Sequence, residues 1–381
     1  MLTFNLPNKR NFNILALGAE SAGNFSVWHK SKITISPNFG DLIKNKNFTL
    51  YYKTLIHYLK INKITPNIIL TDLHPLYQTT QLGIKLSRKF KAKHISIQHH
   101  CAHLLSAWGE QYFISSQSNL PNEFFGIACD GTGLGWDGNI WGGEVLQFKR
   151  KQKSKWKIKR TGHLQYQTMI GGDLAIKEPA RMLLSILDHF LNKNDIYQYI
   201  KSYYNRNQFE LLYNQLQHNF NCQLTSSTGR ILDAVAILLK LIKNIRAYKH
   251  APVDKLEQIA GAPLPLKPKI NYDSTSHQYI LQTTHLFQYL VNHLYLPKAR
   301  LAATAPKYLA VGLSTIIKNI STTHSKKPPV YFAGGLSQNK IITNHFKTQG
   351  FITTHSLSPG DASLSFGQIM YYYLIHYYNQ N

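Results

Sequence analysis

Hydrophobic and polar positions follow two different periods along this chain, and the switches between them mark its elements. Asn13–Ala19 (NILALGA) is an apolar run of strand length, and a Gly-containing turn leads from it to a second strand at Phe25–Lys30. A third short strand is expected at Lys32–Ser36, a helical stretch from about Phe39 to Leu59, and further strands at Ile68–Thr71 and His94–Gln98. His99–Gly109 then reads as a helix. Ser115–Asn122 (SSQSNLPN) is polar and contains proline, which makes it the best linker candidate.

After that stretch the opening pattern returns. Phe124–Cys129 is an apolar strand, Asp130–Gly133 reads as a Gly-rich turn, and strand-like segments follow at Gly143–Lys149 and Lys155–Leu164. The likeness to the first segment lies in pattern, not in residue identity. Strand–turn–strand units in duplicate, each followed by alternating strands and helices, predict two related α/β lobes around a cleft. Residues from Pro179 to Leu256 carry apolar positions at helical spacing, notably Met182–Leu191 and Ile231–Ile242. Strand signals resume at Pro329–Ala333 and Phe351–His355, and Ser363–His376 reads as a last helix.

Composition narrows the class. The chain has 381 residues, 43% of them hydrophobic, which is enough for sizeable cores and too much for a disordered chain. No apolar run approaches the roughly 18 residues of a membrane span, and the first ten residues lack the basic-then-apolar order of a signal peptide. Cys101, Cys129 and Cys222 stand far apart, which argues against a disulfide framework or a Cys-built zinc site and suits a reducing cytoplasm. Lys and Arg outnumber Asp and Glu by 43 to 18. The basic residues are dispersed apart from Lys149–Arg160, so compositional bias toward Lys, Asn, Ile and Tyr explains the charge better than a nucleic-acid surface. With so few carboxylates, each acid inside a Gly- or His-rich motif stands out.

Several such motifs occur. In Gln98–His103 (QHHCAH), His99 and His103 are spaced i, i+4, so on a helix both imidazoles share a face and can ligate one metal; surface or core histidines are the plainer reading. No Glu stands between them as in a zinc-peptidase motif. Asp130-Gly131-Thr132-Gly133 follows a strand, where bare backbone can approach an anion and the Asp can hold a cation, though a plain hairpin explains it equally well. Gly334-Gly335-Leu336-Ser337-Gln338-Asn339 joins a strand to a helix at about Asn339 and suits a base or ribose packed on backbone. Asp361, between the last strand and last helix, reads by position as a helix cap. Gly171-Gly172-Asp173 with Glu178–Arg181, and Thr225–Arg230 with Asp233, complete the set; a turn and a Ser/Thr cap are their structural alternatives.

Taken in order, these segments resemble the C-terminal region of HypF, the carbamoyltransferase family of [NiFe]-hydrogenase maturation, itself similar to the TsaD-type fold of the sugar kinase/Hsp70/actin superfamily. The matching segments are Asp72–Tyr77 (DLHPLY), Gln98–His103, Ala128–Gly138, Ile140–Glu144, Gly171–Arg181, Thr225–Val235, Gly334–Asn339 and Pro359–Gln368. The resemblance implies a two-lobed, actin-like α/β fold with lobe one at 1–118 and lobe two at 119–381. The second lobe would carry a helical insertion at about 179–256, and the C-terminal helix would pack back toward the first. It implies a divalent metal, iron or zinc, on His99, His103 and Asp361 with Asp130 as a further ligand, these four also forming the catalytic set. It implies ATP, AMP or carbamoyl-adenylate beside Gly131, Gly133, Gly171, Gly172, Asp173, Gly229, Asp233, Gly334, Gly335 and Asn339. The implied activity is carbamoyl transfer from a carbamoyl-adenylate-like donor to the C-terminal Cys of a HypE-type partner in the cytoplasm. Small-molecule O-carbamoylation and a catalytically degenerate nucleotide-binding scaffold are the alternatives; the motifs at Asp72–Tyr77 and Ile140–Glu144 weigh against transfer to tRNA.

The chain departs from the family pattern at several places. No segment matches the acylphosphatase-like, zinc-finger and YrdC-like regions that precede this one in full-length HypF, so a separate YrdC-like adenylate-forming partner is expected. The family's Tyr-Glu-Gly-Gln reads Tyr248-Lys249-His250-Ala251, which puts a cation where the family has an acid near the nucleotide, either to pair with a phosphate or to mis-set the ribose. A Lys is lost at Gly18–Ala22, a His at Pro37–Leu42, and the residues around the late Asp read Gly360-Asp361-Ala362-Ser363.

Overall fold

The computed structural model describes residues 1–6, 12–115, 121–151, 155–322 and 327–377; most of the expected linker at Ser115–Asn122 lies outside them. The strands are β1 Leu2–Asn5, β2 Asn13–Ala16, β3 Ser26–His29, β4 Lys32–Ile35, β5 Ile68–Asp72, β6 Lys93–Ile97, β7 Glu123–Leu134, β8 Ile140–Arg150, β9 Trp156–Leu164, β10 Gln167–Ile170, β11 Cys222–Thr225, β12 Ile270–Asp273, β13 Gln278–Leu281 and β14 Val330–Ala333.

Two sheets share one connectivity. In the first, ordered β1-β4-β3-β2-β5-β6, strands β2 to β4 form an antiparallel meander, and β5 and β6 add in parallel beyond β2. Parallel pairing requires crossovers, supplied by the helices Asn45–Ile61 and Gln78–Phe90. All five residues of β5 are buried, as expected of a strand covered on both faces. In the second sheet β7 to β9 form the same meander, β14 joins β7 in parallel, and Ile352 bridges to Tyr331 on the far side of β14. The duplication anticipated from pattern is therefore present in strand order. It is the repeated βββαβ arrangement expected of the actin-like superfamily.

The structure corrects several boundaries. Asp130–Gly133 is not a turn: β7 runs through it to Leu134, and the register shifts between Cys129 and Gly133. Period reasoning misses this because a bulge breaks alternation just as a turn does. Residues 179–256 are helical over Ala180–Leu187, Lys193–Ile200, Arg206–Gln217, Thr228–Leu238 and Ala251–Ile259, but β11 interrupts them to pair with β10. Phe351–His355 reduces to the single bridge at Ile352, and the 310 turn Gly335–Gln338 precedes the helix Lys340–Thr348. The last α-helix is Leu364–Tyr372, continued by a wider π turn over Tyr373–Tyr377.

Two helices bind the sheets together. The helix His99–Ile114 and the final helix share one buried cluster with Ile14 and Trp28 of the first sheet and Leu146 and Phe148 of the second. They approach closely at Gly367, where a Cβ would lie 1.8 Å from the Ala102 carbonyl oxygen. The final helix also reaches the first sheet by polar contacts: Gln368 Oε1 accepts from Gly18 N–H at 3.0 Å, and Ser26 and Ser365 hydroxyls pair at 2.7 Å.

Candidate metal centre

Four side chains from three elements converge between the sheets. Gln98 caps the helix His99–Ile114, its Oε1 accepting from Cys101 N–H at 2.8 Å, and so sets His99 and His103 on consecutive turns at the helix start. Asp130 comes from the bulged part of β7. Asp361 opens the 310 turn Asp361–Ser363, where its side chain caps nothing and points inward instead. One donor atom from each of His99, His103, Asp130 and Asp361 lies within 4.8 Å of the others, and all four residues are buried. The two Nε2 atoms are 3.1 Å apart; Asp130 Oδ2 lies 3.2 and 3.1 Å from those of His99 and His103, and Asp361 Oδ1 lies 3.5 and 3.2 Å from them.

This arrangement calls for a cation. Asp72 Oδ2, at the end of β5, lies 2.7 Å from His99 Nδ1; a carboxylate accepts, so Nδ1 carries the proton and Nε2 presents its lone pair to the cluster. Three acceptors then face each other with at most one N–H among them if both imidazoles are neutral. In the absence of a metal, protons fill the gap. Burial pushes His99 down, but the Asp72 charge and the bonds to Asp130 and Asp361 outweigh it and raise its pKa well above the ordinary value. His103 is likewise raised, its bonds to Asp130 and Asp361 outweighing burial. Burial pushes Asp130 and Asp361 up, yet His103 and His99 hold the first, and Lys249 with the same histidines the second, well below the carboxylate range. Two imidazoles and two single carboxylate oxygens form a donor set suited to a divalent transition ion.

The surroundings fix these donors. Gly133 must lack a side chain, because a Cβ would meet His100 Cε1 at 2.6 Å and His99 Cδ2 at 3.0 Å. His100 points away from the cluster to Gln98 and is lowered to about 4, first by burial and then by the His99 charge. Glu110, two turns beyond His103, accepts from the backbone N–H groups of His355, Ser356 and Leu357 at 2.6, 2.6 and 3.0 Å. Ser106 donates to Ser363 Oγ at 2.8 Å. One helix thus supplies both histidines and grips the loop that carries Asp361. The Trp141–Glu144 motif has a structural role: buried Glu144 takes Arg160 Nε at 2.6 Å and Ser226 Oγ at 2.5 Å, with Arg160 stacked 4.0 Å above the Trp141 ring.

The residues expected around a nucleotide divide. Gly229 packs onto Gly131, and Gly335 lies against Asp130, where a Cβ would be 2.9 Å from Oδ1; any side chain at 335 therefore disturbs the cluster directly. Gly334, at φ +106°, backs onto Cys129. Asp233 is fully buried in an ion pair with Arg230, Nη2 to Oδ2 at 2.7 Å, and among the described residues nothing hydrogen-bonds Asp233 Oδ1 or Arg230 Nε. Arg246 Nε nearby is also buried and unpartnered, and its pKa falls to about 10 through burial and the Arg230 charge. Asn339 caps the helix Lys340–Thr348 through Ile342 N–H and donates to Glu257 at 2.9 Å, so its side chain is occupied. Gly171 and Gly172 form a left-handed turn after β10, and Asp173 beside them lines a cavity of about 400 Å³ with Gly133, His74 and Tyr77. Lys249, expected near the nucleotide, meets Asp361. Sequence reasoning assigned no role to Asp72, although it stands in a quoted motif, nor to Ser21 or Glu110; only Asp72 had a signal, an acid ending an apolar strand.

Comparison with known proteins agrees with this layout. The HypF Kae1-like domain family matches residues 9–110, and the family described as carbamoyltransferase, Kae1-like domain, second subdomain, matches residues 126–368. The chain belongs to the HypF carbamoyltransferase family. It is 37% identical over 379 residues to the probable carbamoyltransferase HypF of Methanocaldococcus jannaschii, covering 96% of this chain and 47% of that protein. Over 268 residues it is 30% identical to carbamoyltransferase HypF of Synechocystis sp., covering 67% of this chain and 33% of the other. The chain thus spans about half the length of the first of these relatives and a third of the second. Among solved structures, T. kodakarensis HypF superposes with a TM-score of 0.84 at 28% identity, over 98% of this chain and 49% of that one. A full-length HypF in a phosphate- and nucleotide-bound form gives 0.83 at 23% identity, over 97% and 47%, and shares the fold. No described helix is long and apolar enough to cross a membrane.

Proposed function

We propose that this chain is a metal-dependent carbamoyl-transfer unit, moving a carbamoyl group from a carbamoyl-adenylate-like donor to the C-terminal Cys of a HypE-type acceptor. The observation that carries it is the buried set His99, His103, Asp130 and Asp361, oriented by Asp72 and closed by the Glu110-held loop. Bound there, iron or zinc would supply Lewis acidity to a carbamoyl carbonyl and to the oxyanion that develops from it. The chain's own residues do the rest. Asp72 keeps the His99 proton on Nδ1, and Gly133 and Gly335 leave the backbone bare where the donors approach. The cavity lined by His74, Tyr77, Gly133 and Asp173 adjoins the cluster at Gly133, which packs on His99, and would be the approach for the acceptor's nucleophile. The division into lobes at 1–118 and 119–381 belongs to the same reading, with the cleft between them.

Adenine-nucleotide binding forms the second half of the proposal. Buried Arg230 and Asp233 pair with each other but leave Arg230 Nε and Asp233 Oδ1 without a partner among the described residues, capacity that hydroxyls or a phosphate of a bound nucleotide would use. A solved HypF of the same fold is bound to phosphate and nucleotide. The test combines the purified chain, carbamoyl phosphate, ATP, an acylphosphatase-like protein that releases the phosphate, a YrdC-like adenylate-forming protein and a HypE-type acceptor. Mass spectrometry should show one carbamoyl group on the acceptor's terminal Cys with wild type and none with His103→Ala. An acceptor left unmodified by metal-loaded wild type would sink the transfer reading in favour of a nucleotide-binding scaffold.

A further inference from the structure

The two carboxylates of the centre differ in how their outer oxygens are held. Asp130 Oδ1 accepts from the neutral backbone N–H of Gly131 at 2.7 Å. Asp361 Oδ2 instead receives Lys249 Nζ at 3.0 Å and the hydroxyl of Ser21, and Nζ also donates to that hydroxyl at 2.8 Å. Ser21 follows β2, Lys249 lies between the helices Thr228–Leu238 and Ala251–Ile259, and Asp361 precedes the final helix. Three distant stretches thus meet at one oxygen. Lys249 keeps 44% of its side chain exposed, whereas the Asp361 side chain is 8% exposed, so the ammonium closes the site from outside.

We propose that Lys249 is a specificity-determining residue of the metal centre: by occupying Asp361 Oδ2 it keeps that carboxylate monodentate and the donor set at four, favouring Zn²⁺ over Mn²⁺. The inference rests on the metal reading above. Two imidazole nitrogens and two single carboxylate oxygens give four protein donors, and a substrate oxygen would be the fifth, a number zinc accepts, while manganese favours six donors rich in oxygen. With the ammonium gone, only the rotatable Ser21 hydroxyl still meets Asp361 Oδ2; once that hydroxyl turns away, the freed oxygen adds a donor of the kind manganese uses. Removing a positive charge one carboxylate away also strengthens the hold on any divalent ion. Zinc gains from charge alone; manganese gains from charge and from the extra oxygen.

Competitive Zn²⁺ and Mn²⁺ titrations of wild type, Lys249→Met, Lys249→Arg and His103→Ala, with AMP calorimetry alongside, test this. Lys249→Met should bind Mn²⁺ about tenfold tighter and Zn²⁺ no more than about threefold tighter, with Lys249→Arg near wild type and AMP affinity unmoved. A Zn²⁺/Mn²⁺ preference that stays the same or widens in Lys249→Met overturns the assignment while leaving the metal centre intact. A fall in AMP affinity with metal affinities unchanged overturns it too, and makes Lys249 a nucleotide ligand. Wild type and His103→Ala that are equally unable to bind either ion overturn the metal centre itself, and Lys249's role with it.

Discussion

The metal cluster and the Arg230–Asp233 region begin on helices packed against opposite faces of the second sheet, and they are built in opposite ways. At the cluster each support is in place: Asp72 on His99, Gly131 N–H on Asp130, Lys249 and Ser21 on Asp361, Glu110 on the loop behind it. Around Arg230 and Asp233, two fully buried charges meet in one ion pair, and among the described residues Asp233 Oδ1, Arg230 Nε and Arg246 Nε have no hydrogen-bond partner. The first region is held in place by its supports; the second keeps unused hydrogen-bonding capacity, which the proposed nucleotide would take up. Metal affinity should therefore depend on distant supporting residues, and nucleotide affinity on the local buried pair.

His103→Ala should break the comparison most severely. It removes a donor at the helix start and should cost more than about 100-fold in Zn²⁺ affinity, exceeding the usual effect of a supporting residue. His100→Ala, on the neighbouring face, should change affinity far less; equal losses would mean that the helix start, not the donor set, governs binding. Next comes Asp72→Asn. It leaves His99 free to choose its tautomer and should lower metal affinity by about 10- to 100-fold with little change in thermal stability of the metal-free protein.

Glu110→Gln sharpens the contrast from a distance. One amide oxygen cannot replace two carboxylate oxygens serving three N–H groups, so stability should fall by about 2 kcal/mol and metal affinity by about tenfold. A stability loss without a metal effect would show that Asp361 does not depend on this loop. The smallest expected change is Asp233→Asn. AMP affinity should fall by about tenfold, the worth of one or two charge-assisted hydrogen bonds, and Zn²⁺ affinity should stay put. Loss of both together would merge the two regions into one site.

How far the sequence foretells this depends on where each signal lies along the chain. The i, i+4 histidines and the repeated strand pattern are local, so spacing alone finds them and the meander they accompany. Asp361 reads locally as a cap, and only the fold turns it toward His103. The Lys249–Asp361 pair and the Glu110 bonds to 355–357 join residues more than a hundred positions apart, which no local period records. Strand β11 escaped because its four residues, Cys222–Thr225, are set among helices and gain their state from pairing with β10. Asp130–Gly133 misled for a different reason: a glycine that clears space for histidines, as Gly133 does, looks like a glycine that turns a chain.

The most direct measurement is a calorimetric Zn²⁺ titration of the chelator-treated protein at two pH values, either side of the ordinary histidine pKa of about 6.5. His99 and His103 are held above that value in the metal-free protein, so an entering ion must displace their protons. Their contribution to metal-free stability is full below the unfolded-state pKa and is lost as pH rises through the raised one, while metal affinity moves the other way. The account predicts one ion per chain, proton release on binding, and tighter binding at the higher pH, all abolished in His103→Ala. A folded wild-type protein that takes up no ion at either pH, or binds no better than His103→Ala, would contradict it.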